Sequence, residues 1–327
     1  MTDVVYQPGE KWRLVDPEQF DAFEQWIFFD GAYDGSYWYV AGANAIGLQG
    51  RIRRAGKDTI YGNAAAFSAV NPSPASGPIQ GIAYGGGELV AVTQNGQAVS
   101  SFDGTTWAIT AVGGSPDLRR IDYGEVLPSG NKFCACANNG IWLRNGTWAQ
   151  VDSQAVNWWR IRHIEFVAWV VVGYDASNNG RVATGTGNSW NTAATVTTGV
   201  RTLSINTLGA SKWVIGGVGG YVGVASSPTG TYTDRSIVGE TDDIFEVIGL
   251  EPTTIIAVST GGKIYRSINE GVNWALVEGA LLSASNGYLG AFLAPVSPAE
   301  IIAYGAPEGG IVHSFQETQT DETDKET

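Results

Sequence analysis

The side chains best suited to chemistry are few. Two histidines, His163 and His313, and two cysteines, Cys134 and Cys136, occur in 327 residues. In Phe133-Cys134-Ala135-Cys136 the thiols lie two apart, so on a strand they share one face and are poorly placed to bond each other. They read as small core side chains. Two histidines 150 positions apart make neither a zinc ligand set nor a Ser-His-Asp arrangement, so no catalytic residue, metal or cofactor is assigned. Carboxylates are more plentiful. Asp117, Asp175, Glu240, Asp242 and Asp243 fall in turn-like segments. A glycosidase needs two carboxylates facing each other at about 5 to 10 Å, which linear spacing does not reveal. The plainer reading of these five is solvated turn residues.

Recognition chemistry is better represented. Aromatics stand beside arginine, asparagine and aspartate in Leu118-Arg119-Arg120, Asn157-Trp158-Trp159-Arg160, Gly173-Tyr174-Asp175 and Ser285-Asn286-Gly287-Tyr288. Such groups suit a sugar ring or a protein partner through stacking and directed hydrogen bonds. The candidate contact residues are Arg119, Arg120, Trp158, Tyr174, Asp175 and Tyr288. Alternation sends one of Trp158 and Trp159 inward, and Trp158 is the one carried into this set.

The elements that must position these residues are strands. With 44 glycines, 12 tryptophans and 13 tyrosines but only 16% charged residues, the chain suits many short strands and tight turns better than surface helices. A net charge of −13 argues against nucleic acid or an anionic membrane as the main partner. No run of about 18 apolar residues and no signal-peptide pattern is present, so a soluble chain without its own export signal is expected.

An aromatic recurs after glycine at Trp107, Trp148, Trp190, Tyr232 and Trp274, at intervals of 41, 42, 42 and 42. In phase with it, an apolar run recurs seven times, as in Tyr37-Trp-Tyr-Val-Ala-Gly42, Leu89-Val-Ala-Val92 and Ile301-Ile-Ala-Tyr304. Six copies lead into dipeptides such as Asn95-Gly96 and Gly261-Gly262, which supply the positive φ of a tight hairpin. A unit of about 40 residues with four short strands cannot bury both faces alone and must stack on copies of itself. The expected fold is all-β: a seven-bladed β-propeller of four-stranded blades spanning residues 1–316.

The last unit breaks off after Ile311-Val-His-Ser314, one strand short. Gly9-Glu-Lys-Trp12 repeats the glycine–aromatic turn, so residues 1–15 are expected to supply the missing strand and close the final blade. Residues 16–26, opening on Asp16-Pro17, predict a short helical connection, and the acidic residues 317–327 predict a disordered tail.

Ser267-Ile-Asn269-Glu-Gly271-Val-Asn-Trp274 resembles the Asp-box, or neuraminidase-type, repeat, with Asn in place of Asp. Ser100-Ser-Phe-Asp103-Gly104-Thr-Thr-Trp107 is similar, with the aspartate displaced by one. The resemblance implies a propeller in which Ser100, Asp103, Gly104, Trp107, Ser267, Asn269, Gly271 and Trp274 are structural and lie on the rim opposite the binding face. Asp-box proteins include sialidases, receptors and phage virion proteins. The early Arg-Ile-Pro of a sialidase is missing from both Gly50-Arg51-Ile52-Arg53 and Trp159-Arg160-Ile161-Arg162. The expectation is therefore a noncatalytic structural or binding propeller on a phage virion, as a tail, fibre or decoration protein made in the host cytoplasm. Its partners would be other virion proteins or a cell-surface glycan or protein. A carbohydrate-active enzyme or lectin-like propeller is the alternative.

Overall fold

The computed structural model describes residues 26–44, 49–56, 68–70, 77–126, 129–164, 168–209, 211–250 and 252–277, together with the backbone of six further strands toward the two ends of the chain. All of it is β-structure, turn or loop.

Six blades are each cut from four consecutive antiparallel strands. Their first strands are Trp26–Tyr33, Ile79–Gly85, Leu118–Val126, Asn157–Ile164, Thr202–Leu208 and Ile244–Gly249, which begin blades I to VI in that order. Another four-stranded sheet is assembled from both ends of the chain. Tyr288–Ala294, Glu300–Gly305 and Ile311–Phe315 form a meander, and Lys11–Val15 joins at its outer edge, with Lys11 opposite Phe315 and Val15 opposite Ile311. Its first strand lies between those of blades VI and I. The expectation of a seven-bladed propeller is corrected accordingly. Six four-stranded blades, not seven, are units of consecutive strands, because the C-terminal part of the chain supplies only three strands to its sheet.

Two further readings of the ends meet the structure. Thr318–Gln319 pairs antiparallel with Val4–Val5, so the tail expected to be disordered from residue 317 contains paired residues at its start. The helical connection expected at 16–26 lies outside the described residues, apart from Trp26, which begins the first strand of blade I.

The cores lie between blades rather than within them. On Gly130–Ala137, the second strand of blade III, side chains alternate. Phe133, Ala135 and Ala137 pack toward blade II with Val90, Val92 and Ala98, whereas Cys134 and Cys136 pack toward blade IV with Trp158, Trp169 and Val171. The period-2 geometry of a strand thus gives each sheet two apolar faces, and neither is buried until a neighbour stacks on it. Burial falls off outward: Ile255–Ser259, a second strand, is wholly buried, while Ala108–Ala111, a fourth strand, is wholly exposed.

Candidate functional site

Every first strand carries one extra residue relative to its partner. Pairing skips a residue between Phe28 and Asp30, Ile79 and Gly81, Leu118 and Arg120, Trp158 and Arg160, Thr202 and Ser204, Ile244 and Glu246, and Tyr288 and Gly290. Such a bulge bends the strand and re-aims its side chains. It also forces a close approach to the second strand. A Cβ on Gly42 would lie 1.8 Å from the carbonyl oxygen of Ile27, and one on Gly173 would lie 2.1 Å from that of Asn157. These two glycines are therefore fixed by contact.

The bulges sit near the start of the first strands, on the rim formed by the fourth-to-first connections and the second-to-third turns. The skipped residues include Arg119, Trp159 and Phe245. Trp159 reaches across the mouth of the channel to Phe245, two blades away, with ring centroids 5.7 Å apart and planes at 87°. The Arg119 guanidinium lies 4.1 Å above the Trp159 ring, and Tyr174, at the end of a second strand, lies 6.5 Å from it. Arg201 stands 5.3 Å over Tyr174. Stacked cation–aromatic contacts of this kind are each worth about 0.5–1 kcal/mol when exposed, and more when water is excluded.

One residue further along, the chain turns from the mouth into the channel. Arg160 forms ion pairs with Glu246 of blade VI and, at 3.5 Å, with Asp30 of blade I. Arg162 lies 3.6 Å from the same Glu246. Arg120 donates to the backbone oxygens of Gln80 and Arg119, and Asp30 accepts the Ile82 N–H at 3.1 Å. All four residues that turn inward here, Asp30, Arg120, Arg160 and Glu246, are buried.

The six expected contact residues separate. Arg119 and Tyr174 join the mouth cluster. Trp158 does not: it is 0% exposed and belongs to the core between blades III and IV. The correction has a simple cause, since the extra residue of the bulge interrupts alternation and puts Trp159 at the mouth instead. Arg120 is turned into the channel rather than outward. Asp175 folds back on its own turn, accepting the N–H groups of Ser177 at 2.9 Å and Asn179 at 3.0 Å. Tyr288 begins a described strand, but its side chain lies outside the described residues. Sequence reasoning missed Trp159, Phe245 and Arg201 as mouth residues. Its one usable signal was an aromatic–charge dipeptide recurring at the same place in the unit: Phe29-Asp30, Trp159-Arg160, Phe245-Glu246.

The loop carboxylates are engaged locally. Asp117 accepts from Asn138 at 2.8 Å and pairs with Arg119 at 3.2 Å. Asp243 accepts the Gly219 N–H at 3.1 Å. Glu240 is buried; burial pushes its carboxyl up, but the Tyr265 hydroxyl at 2.6 Å, the Asp242 N–H and Lys263 together pull it down to about 2. Its side chain is the acceptor that closes the loop between blades V and VI. Among the described residues, no three histidine, cysteine or acidic side chains converge as a metal site would require.

On the opposite rim lie the third-to-fourth turns. Ser267 Oγ donates to Asn269 Oδ1 at 3.0 Å and accepts the Gly271 N–H at 2.8 Å. In blade II the serine in this role is Ser101, not Ser100: its Oγ donates to Asp103 at 3.0 Å and accepts the Gly104 N–H at 2.8 Å. The aspartate is not displaced relative to that serine, and the turn is instead one residue shorter between Asp103 and Gly104. Gly104 and Gly271 adopt φ of 67° and 79°, which glycine tolerates and a Cβ resists. Trp107 and Trp274 pack from these turns onto inter-blade cores, and Trp274 donates to the Arg235 carbonyl of blade V at 2.8 Å.

No family model and no curated protein matches the chain. Its likeness is to solved structures. Ycf48 from Cyanidioschyzon merolae is 12% identical, with a TM-score of 0.69 over 93% of this chain and 98% of that one. Ycf48 bound to D1 peptide is also 12% identical, with a TM-score of 0.71 over 95% and 98%. The WD40 β-propeller domain of Doa1 is 10% identical, with a TM-score of 0.70 over 94% and 98%. At these identities the likeness shows the propeller fold alone.

Proposed function

We propose that the protein is a noncatalytic binding propeller that holds a segment of a protein partner against the channel mouth. The observation that carries this reading is the convergence of Arg119, Trp159, Tyr174 and Phe245 from blades III, IV and VI onto one patch. Rigid aromatics beside an arginine are the composition of interaction hot spots, and functional residues are drawn disproportionately from the loops of a rigid scaffold. The engagement of the loop carboxylates in their own turns and ion pairs supports a binding role over hydrolysis. A propeller structure solved with a peptide supports a protein partner by analogy of fold. Placement on a phage virion belongs to the same proposal and draws on the Asp-box resemblance.

Selection of a displayed random-peptide library on the intact protein tests this. The expected outcome is a set of peptides whose affinity falls about 10-fold or more for R119A and W159A and is unchanged for F102A, on the opposite rim. Peptides insensitive to the mouth variants would overturn the site. Saturable hydrolysis of a glycoside, abolished by a single loop carboxylate substitution, would overturn the noncatalytic reading.

A further inference from the structure

The buried charges of the channel are adjacent in sequence to the aromatics of the mouth. Asp30 follows Phe29, Arg160 follows Trp159 and Glu246 follows Phe245. In each case the bulge sits at that aromatic, so the aromatic and the charge leave the strand at consecutive positions with no residue between them. Arg160 then joins the three strands, pairing with Glu246 and lying 3.5 Å from Asp30, so that blade IV is tied to blade VI and, across the channel, to blade I. Trp159 and Phe245 meet edge to face at 5.7 Å directly beside one of these pairs.

We propose that the Asp30–Arg160–Glu246 triad is a positioning device, which fixes Trp159 and Phe245 over the channel mouth as a preformed platform for the partner. A buried ion pair with one member removed leaves an uncompensated charge, so the arrangement has one satisfied geometry rather than several. Ordering the platform before the partner arrives removes part of the entropic cost of binding. Arg120 acts in the same layer, holding the bulge of blade II through the Gln80 carbonyl. The role in binding rests on the reading of the mouth given above, whereas the positioning of Trp159 does not.

Fluorine NMR of the full chain labelled with 5-fluorotryptophan separates the two. The lines of Trp159, Trp107 and Trp274 are assigned with W159F, W107F and W274F. In E246Q the Trp159 line is expected to shift or broaden while those of Trp107 and Trp274 stay in place, and affinity for a peptide selected on the wild type is expected to fall about 10-fold. Should E246Q fail to fold, the triple variant D30N/R160M/E246L removes all three charges at similar volume and is read in the same way. A Trp159 line that stays in place, or three lines that move together, would overturn the positioning role. A Trp159 line that moves while affinity stays constant would leave the positioning intact and overturn the mouth as the binding surface.

Discussion

Trp158 and Trp159 are neighbours in sequence yet have different surroundings: the first is sealed between blades III and IV, and the second lies under the guanidinium of Arg119 at the channel mouth. The bulge at Trp159 separates them. In a regular strand adjacent side chains would merely face opposite sides of one sheet, and both would enter an inter-blade core. The extra residue takes Trp159 out of the ladder and leaves it to the mouth.

The two tryptophans should therefore respond oppositely to truncation. W158A should cost roughly 3–5 kcal/mol in urea unfolding, as expected for a fully buried aromatic. W159A should cost at most about 2 kcal/mol, with its main effect on partner binding. Equal losses of stability would show that the two side chains are equivalent and that the mouth cluster is part of the core.

Glu240 should make stability depend on acid. Its carboxyl is lowered from 4.5 to about 2 in the folded chain, so its contribution is fully present above the unfolded value and is lost as pH falls through the folded one. The difference in melting temperature between wild type and E240Q should be largest at neutral pH, shrink below about pH 4.5 and vanish near pH 2. A difference that stays constant across this range would mean that the charge on Glu240 is not what holds the loop.

Cys134 and Cys136 should be silent in the native state. Burial pushes Cys136 up to about 11 and Cys134 higher still, and both are sealed in the core between blades III and IV. A thiolate-selective reagent at mildly alkaline pH should label neither in the folded protein and both in strong denaturant. Rapid native labelling would place at least one thiol at the surface.

Removal of residues 1–15 should be costly. The deletion strips Lys11–Val15 from Ile311–Phe315 and removes Val4–Val5 from Thr318–Gln319, exposing a five-residue edge rich in apolar side chains. An open edge of this kind is a template for association. The expected outcome is a melting temperature lower by at least about 5 °C, with increased aggregation. An unchanged melting curve would show that the N-terminal strand is dispensable.

Much of the architecture was already visible in the chain. The aromatics at Trp107, Trp148, Trp190, Tyr232 and Trp274 keep one interval because each opens the same turn, and the apolar second strands recur because every blade must bury two faces. The pairing of Lys11–Val15 with Ile311–Phe315 was equally legible, since Trp12 repeats that turn beside a unit one strand short. These features are local, or repeat a local rule, so composition and spacing specify them.

The tertiary structure decided what depends on register and on closure of the ring. A bulge of one residue determines whether Trp158 or Trp159 reaches the mouth, and a slip of one position exchanges the faces of a strand. Ser101 rather than Ser100 caps the turn of blade II for the same reason, because only one of two adjacent hydroxyls can point at the Gly104 N–H. That Arg160 would meet Asp30, 130 positions away, follows from neither residue's neighbours in sequence. The two come together only because the ring brings opposite blades to a common channel, where a buried charge must be paired or hydrogen-bonded.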